Sequence, residues 1–210
     1  MKYYKPDEDK LSHYKSDGSK ACHYKHSGDD TEEFEEDMDA RTIEDIIADV
    51  ADICISQIMF NTDSAGICQK INMQGFKRLH RHLSKKFHCY YLEFLNNSIN
   101  DYNIIPESHS EFRPYTVSSF KDHLYNRLHI LESHIKIMGE LSKEFFNITG
   151  VIRCDMMAIQ KCLYRSLCKT NRAIQRFEDN KWMPHDIYVY DTKLHKKMKK
   201  IESEEGYHKE

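Results

Sequence analysis

The 210-residue chain carries 13 histidines and seven cysteines, side chains that bind metals, move protons or act as nucleophiles when neighbours position them. So many imidazoles make the net charge climb steeply below about pH 6.5. His80 and His88 share one face of a helix, but two turns apart, about 12 Å, too far to share an ion without bridging residues. His82 belongs to the same stretch, and all three are expected as solvated side chains. His129 and Glu132 stand at i, i+3 and can share a metal, whereas His129 and His134, five apart, are poorly placed to do so. Cys22, Cys54, Cys68, Cys89, Cys154, Cys162 and Cys168 are odd in number and form no Cys-x-x-Cys. They read as reduced thiols, many of them buried as small hydrophobes. A nucleophilic Cys89 or Cys162 needs a histidine base and an oxyanion site, and the sequence places neither. There is no Gly-rich phosphate loop, His-Glu-x-x-His or Gly-x-Ser-x-Gly.

Charge excludes further classes. A net charge of −3 gives no bulk drive toward nucleic acid or membrane. Two basic patches exist, Lys77-Arg78-x-His80-Arg81-His82 with Lys85-Lys86, and Lys193-x-His195-Lys196-Lys197-Met198-Lys199-Lys200. No nucleic-acid fold signature accompanies them, so they are expected as charged helix faces. No run of about 18 apolar residues predicts a membrane span, and Met1 to Pro6 lacks an apolar secretory core. The expectation is a cytoplasmic protein with neither nucleic acid nor membrane as partner.

The elements that must position any site are helices. Seven glycines and four prolines favour long helices over a turn-rich β fold. Residues 1–38 form a polar segment with a loose repeat, His13-Tyr14-Lys15 and His23-Tyr24-Lys25, and an acidic run from Asp29 to Asp37. It offers too little apolar surface to fold and is expected as a disordered tail. From Arg41, Ile43, Ile46, Ile47, Val50, Ile53, Cys54 and Ile58 keep i, i+3, i+4, i+7 spacing, with a stop expected at Asp63-Ser64-Ala65-Gly66. A second helix is predicted from about Met73 to Asn97, its stripe running through Leu79, Leu83, Phe87, Tyr90, Tyr91 and Phe94. Residues 100–117 read as a long irregular connection that returns along the bundle. A third helix starts near Ser118 or Ser119, either a good N-cap, and ends near Phe146, with Gly150 as C-cap or turn. The fourth runs from about Ile152 to Phe177, and a short fifth from about Asp186 to Met198. The predicted architecture is all-α: a four-helix bundle with one long crossover and a short fifth helix over 39–200, and a polar C-terminal tail over 201–210.

Several motifs within these helices resemble the ferritin family. Ile187-Tyr188-Val189-Tyr190-Asp191-Thr192-Lys193-Leu194 resembles the start of its short fifth helix. Gly75-Phe76-Lys77-Arg78 with Ser84 resembles the opening of the second, Leu128-His129-Ile130 the middle of the third, and Cys154-Asp155 the start of the fourth. The resemblance covers about residues 40–196. It implies a ferritin-like fold, assembly with other ferritin subunits as a homo- or hetero-oligomeric 24-subunit shell, and ferric iron storage.

The same resemblance implies a di-iron oxidation centre whose ligands are replaced here. Its first-helix Glu falls on Asp52 and its Tyr on Met59. The bridging second-helix Glu falls on Phe87 and the partner His on Tyr90. The third-helix Glu falls on Leu131, beside Glu132, and the fourth-helix Gln on Arg165. Asp52 and Glu132 remain as candidate metal ligands, and a cation at Arg165 and an aromatic ring at Phe87 oppose Fe²⁺. The mineral-nucleating face falls on His82, Lys85, Lys86, Cys89 and Leu92, where the lysines have the wrong sign for Fe³⁺. Of the two acids of the entry channel, Asp155 is kept and the other falls on Ala158. The expectation is a divergent shell subunit in intracellular iron homeostasis without ferroxidase activity of its own. The alternative is a helical adaptor or scaffold on the same fold with no iron role.

Overall fold

A computed structural model describes residues 41–106, 119–144 and 150–205 as a succession of five helices. These are α1 (Ile43–Lys70), α2 (Gln74–Tyr102), α3 (Phe120–Glu144), α4 (Gly150–Asp179) and α5 (Pro184–Glu204), with no strand among the described residues. The expected tail over 1–38 and the end of the third helix near Phe146 lie outside the described residues.

Local chemistry sets most of the helix ends. Thr42 and Asp45 form a reciprocal capping box at the start of α1: the Thr42 hydroxyl accepts from Asp45 N–H at 3.2 Å and Asp45 accepts from Thr42 N–H at 3.0 Å. Ser119 caps α3 by accepting from Asp122 N–H at 3.1 Å. Asn103 ends α2 in the left-handed region, φ 56°, which Asn tolerates better than most residues. Pro184 occupies the first turn of α5, where its missing N–H has no bond to lose.

Four expected boundaries are corrected. α1 does not stop at Asp63–Gly66 but continues to Lys70, because Ser64 and Ala65 are buried and pack as small side chains on the helix's inner face. α2 runs through Asn96-Asn97-Ser98 to Tyr102, and the buried Ser98 hydroxyl is satisfied by the Phe94 carbonyl at 2.8 Å. α5 is 21 residues long and reaches Glu204, so it is not short and the boundary expected after residue 200 falls inside it. Gly150 opens α4 rather than capping a preceding helix.

Two hydrophobic cores fix the helix directions. One joins Ile46, Ile47 and Val50 of α1 to Leu83, Phe87 and Phe94 of α2, Leu131, Met138 and Leu141 of α3, and Ile152, Ile159 and Leu163 of α4. The other joins Cys68, Phe76, Leu124, Ala173, Ile174, Phe177 and Ile187, with Phe120, Trp182 and Tyr190 packed against it. Residue numbers rise from the first core to the second along α1 and α4, and from the second to the first along α2 and α3. α2 and α3 therefore run parallel, and most of the connection expected over 100–117 lies outside the described residues. α1 packs on α2 and α3, α4 packs on α2 and α3, and α5 lies on α2.

One long-range contact joins two of the motifs singled out in the sequence. Met73 provides no side-chain cap for α2. The buried Asp191 of α5 takes that role, its Oδ1 accepting from Phe76 N–H at 2.9 Å. A carboxylate at a helix N-terminus also meets the positive end of the dipole. Gly75 makes the approach possible, because a Cβ there would stand 2.2 Å from the Asp191 carbonyl oxygen.

Candidate metal centre

Between the two cores lies a buried polar layer with contributions from all four bundle helices. α1 supplies Gln57 and Asn61, α2 His80, α3 His123 and Arg127, and α4 Thr170, none more than 5% exposed. These residues continue the apolar stripes of their helices. Val50, Cys54, Gln57, Asn61 and Cys68 share the α1 face, and Phe76, His80, Leu83 and Phe87 the α2 face. The polar groups are buried because their helix phase puts them there, and they must then satisfy one another.

Arg127 organises the layer. Its Nε donates to Thr170 Oγ1 at 3.0 Å, and one terminal nitrogen reaches Asn61 Oδ1 at 3.0 Å and His80 Nδ1 at 3.1 Å. Its carbon lies 5.9 Å from the centre of the Phe60 ring. Guanidinium has only protons to give, so His80 Nδ1 accepts here and the proton of that imidazole sits on Nε2. From there it is donated to His123 Nε2 at 3.1 Å. Asn61 Nδ2 in turn donates to the Gln57 carbonyl at 2.7 Å, and the Gln57 amide reaches His134 Nδ1 at 2.8 Å.

This environment keeps its imidazoles neutral. Burial, then the charge of Arg127, lowers His80 well below the usual imidazole value and brings His123 to about 4. Burial alone brings His134 to about 4. Burial, with the Asp191 carboxylate adding to it, pushes the Cys68 thiol up to about 12.

One donor atom from each of Cys68, His80 and His123 lies within 4.8 Å of the other two. Neutral imidazole nitrogens 3.1 Å apart match the spacing of two nitrogens on one tetrahedral zinc, about 3.3 Å for bonds near 2.0–2.1 Å. Two imidazoles and a sulfur suit a borderline divalent ion better than hard Mg²⁺ or Ca²⁺. Binding through His80 Nε2 would move that ring's proton to Nδ1, where Asn61 Oδ1 stands 3.0 Å away to accept it, and would break the hydrogen bond that Arg127 gives to Nδ1. A metal-bound histidine held through its second nitrogen by a carbonyl is the usual supporting arrangement. A bound cation also removes the thiol proton that burial otherwise retains.

The positions that the ferritin resemblance assigns to di-iron ligands are not brought together as a donor set. Phe87 and Leu131 are fully buried in the first core, and Tyr90 is half-buried with its ring edge-on to Phe87. Met59 is 39% exposed and Arg165 also faces outward. Asp52 is half-buried and Glu132 exposed, the latter 3.7 Å from the exposed His129. Hydrocarbon at Phe87 and Leu131 offers no ligand atom, so these residues do not fit a di-iron centre. Arg165, being outside, does not charge the bundle interior. Asp155, the channel candidate, is half-buried and accepts from Asn97 Nδ2 at 2.7 Å, and its burial raises the carboxyl above the ordinary carboxylate range. On the face assigned to mineral nucleation, Lys85, Cys89 and Leu92 are exposed, while Lys86 lies over the Tyr90 ring at 5.8 Å.

The expectation that His80 is solvated is overturned: it is fully buried, while His88 is exposed and His82 half-buried. The signal was its phase, four residues after Phe76 and seven before Phe87. Of the cysteines, Cys54, Cys68 and Cys162 are buried, and Cys89, Cys154 and Cys168 are exposed.

No protein-family model matches the chain, nor does any curated protein or solved structure. The ferritin resemblance therefore rests on the chain's own sequence motifs alone.

Proposed function

We propose that the chain is a divergent ferritin-like subunit whose metal chemistry is not di-iron oxidation but the binding of one borderline divalent ion, of the zinc type, by Cys68, His80 and His123. The observation that carries the proposal is the convergence of those three donor atoms within 4.8 Å in a fully buried layer. Asn61 stands ready to hold the metal-bound tautomer of His80. Three protein ligands leave a fourth position open to water or a small ligand.

Cobalt(II) titration of the full chain tests it directly. One ion per chain is expected, with a thiolate-to-cobalt band that Cys68→Ser abolishes and zinc displaces. Binding releases the thiol proton, so apparent affinity rises with pH. Loss of either imidazole, in His80→Phe or His123→Phe, is expected to weaken binding at least about tenfold. Cobalt bound equally well by all three variants would sink the assignment.

The scaffold half of the proposal is supported by the parallel α2–α3 pair with its long connection and by the Asp191 cap on Gly75-Phe76. With it go assembly with ferritin subunits and a place in iron homeostasis. Light scattering, alone and after coexpression with a ferritin heavy chain, distinguishes this from the adaptor reading. A shell of about 600 kDa, 24 copies of a 25.0 kDa chain, is expected. A monomer that ignores the heavy chain supports the adaptor.

A further inference from the structure

A second site opens on the other side of Arg127. A cavity of about 270 Å³ lies among α2, α3, α4 and α5. Its floor is apolar, formed by Phe76, Leu83, Leu124, Ala173 and Met198. Its rim is cationic: Lys169 and Arg176 from α4 face Lys193 and Lys197 from α5, and all four are exposed. Among the described residues, no acidic side chain lines it. Arg127, reached from the polar layer, places a fifth cation in the wall.

This arrangement is unfavourable without an occupant. Like charges at i, i+4, as at Lys193 and Lys197, destabilise a helix, and opposing them with two more on α4 adds to the repulsion. Partial burial of Lys169, then the neighbouring Lys197, lowers its ammonium below the ordinary lysine value. The floor residues are at most 8% exposed, and the unfilled volume above them forgoes packing contacts. One kind of ligand relieves both. Its anionic head meets the rim, and its hydrocarbon body covers the floor.

We propose that this pocket binds a small organic anion with an apolar body, a medium-chain carboxylate being the best fit. At about 30 Å³ per water-sized group, the cavity takes roughly nine groups, which matches a chain of about eight carbons with its carboxylate at the mouth. Inorganic phosphate or acetate satisfies the rim but leaves the floor bare. A neutral alcohol of the same length fills the floor but leaves the cations facing one another. The site is separate from the metal centre, since Cys68, His80 and His123 are absent from its walls, though Arg127 borders both through its bond to His80.

Isothermal titration of the full chain with sodium octanoate, 1-octanol and sodium acetate tests the inference. Octanoate is expected to bind one per chain, at least about tenfold more tightly than 1-octanol, and to shift the Met198 methyl resonance. Acetate is expected to show no saturable binding. The exposed double substitution Lys193→Glu/Lys197→Glu is expected to weaken octanoate about tenfold or more while leaving the cobalt stoichiometry unchanged. Octanoate and 1-octanol binding alike would show an apolar cavity without anion preference and overturn the proposal. So would a charge-reversed variant that binds octanoate as the parent does, or no octanoate binding up to about 5 mM.

Discussion

The region around Phe87 and Leu131 and the region around His80 and Arg127 lie on the same helices, about 10 Å apart along α2, and they hold the bundle together in opposite ways. The first is hydrocarbon, stabilised by burial that needs no particular partner. The second is polar and is stabilised only insofar as every donor meets an acceptor. In the ferritin resemblance the metal chemistry falls in the first region; in this structure the donor atoms that converge are in the second.

Four changes sharpen or break that contrast. Phe87→Ala has the largest expected effect, a loss of about 3–5 kcal/mol in urea unfolding, because a fully buried ring leaves a void. A loss under about 1 kcal/mol would mean that this core collapses easily and is not the packing layer. Arg127→Met comes next, at about 3 kcal/mol, since Asn61, His80 and Thr170 each lose a donor at once. A neutral or stabilising result would show that the layer works as well dry.

The third is acid. His123 and His134 titrate at about 4 in the folded chain, against about 6.5 when unfolded. Above pH 6.5 both states are neutral and the contribution is constant. As pH falls from 6.5 to 4 the unfolded chain takes up protons that the folded chain refuses, so stability falls through that window and levels off below it. His134→Gln is expected to flatten the slope by up to about 1.4 kcal/mol per pH unit, and equal slopes would count against a neutral buried ring there. Arg165→Ala is the smallest, within about 0.5 kcal/mol. Arg165 faces outward, and a large effect would place it back inside the bundle.

The apolar stripes were readable because hydrophobic phase is a local property of the sequence. Ile46, Ile47, Val50, Leu124, Met138, Met156, Ile159 and Ile174 are all buried as their spacing predicts. The polar layer is not legible in the sequence, because Asn, His and Arg are usually solvated and their residue type masks their phase. Gln57 and Asn61 continue the Val50–Cys54 face, and Ser166 and Thr170 lie between Leu163 and Ala173. Which buried residues meet across helices was beyond a single sequence: Cys68 and His123 are 55 positions apart, and only the bundle joins them. α1's continuation through Ser64-Ala65-Gly66 was hidden in the same way, since small residues signal a turn in sequence and close helix packing in three dimensions.

The Asp191 cap on α2 has a temporal side. Its two partners are separated by 115 residues. At synthesis rates of about 5–20 residues per second, Phe76 leaves the ribosome roughly 6–23 s before Asp191. Until then the start of α2 lacks its carboxylate, and the aromatic face of Phe76 and Phe177 lacks Tyr190. The first hairpin thus receives its N-terminal cap from the last helix, and a chain truncated before α5 lacks both that cap and the Tyr190 ring against Phe76 and Phe177.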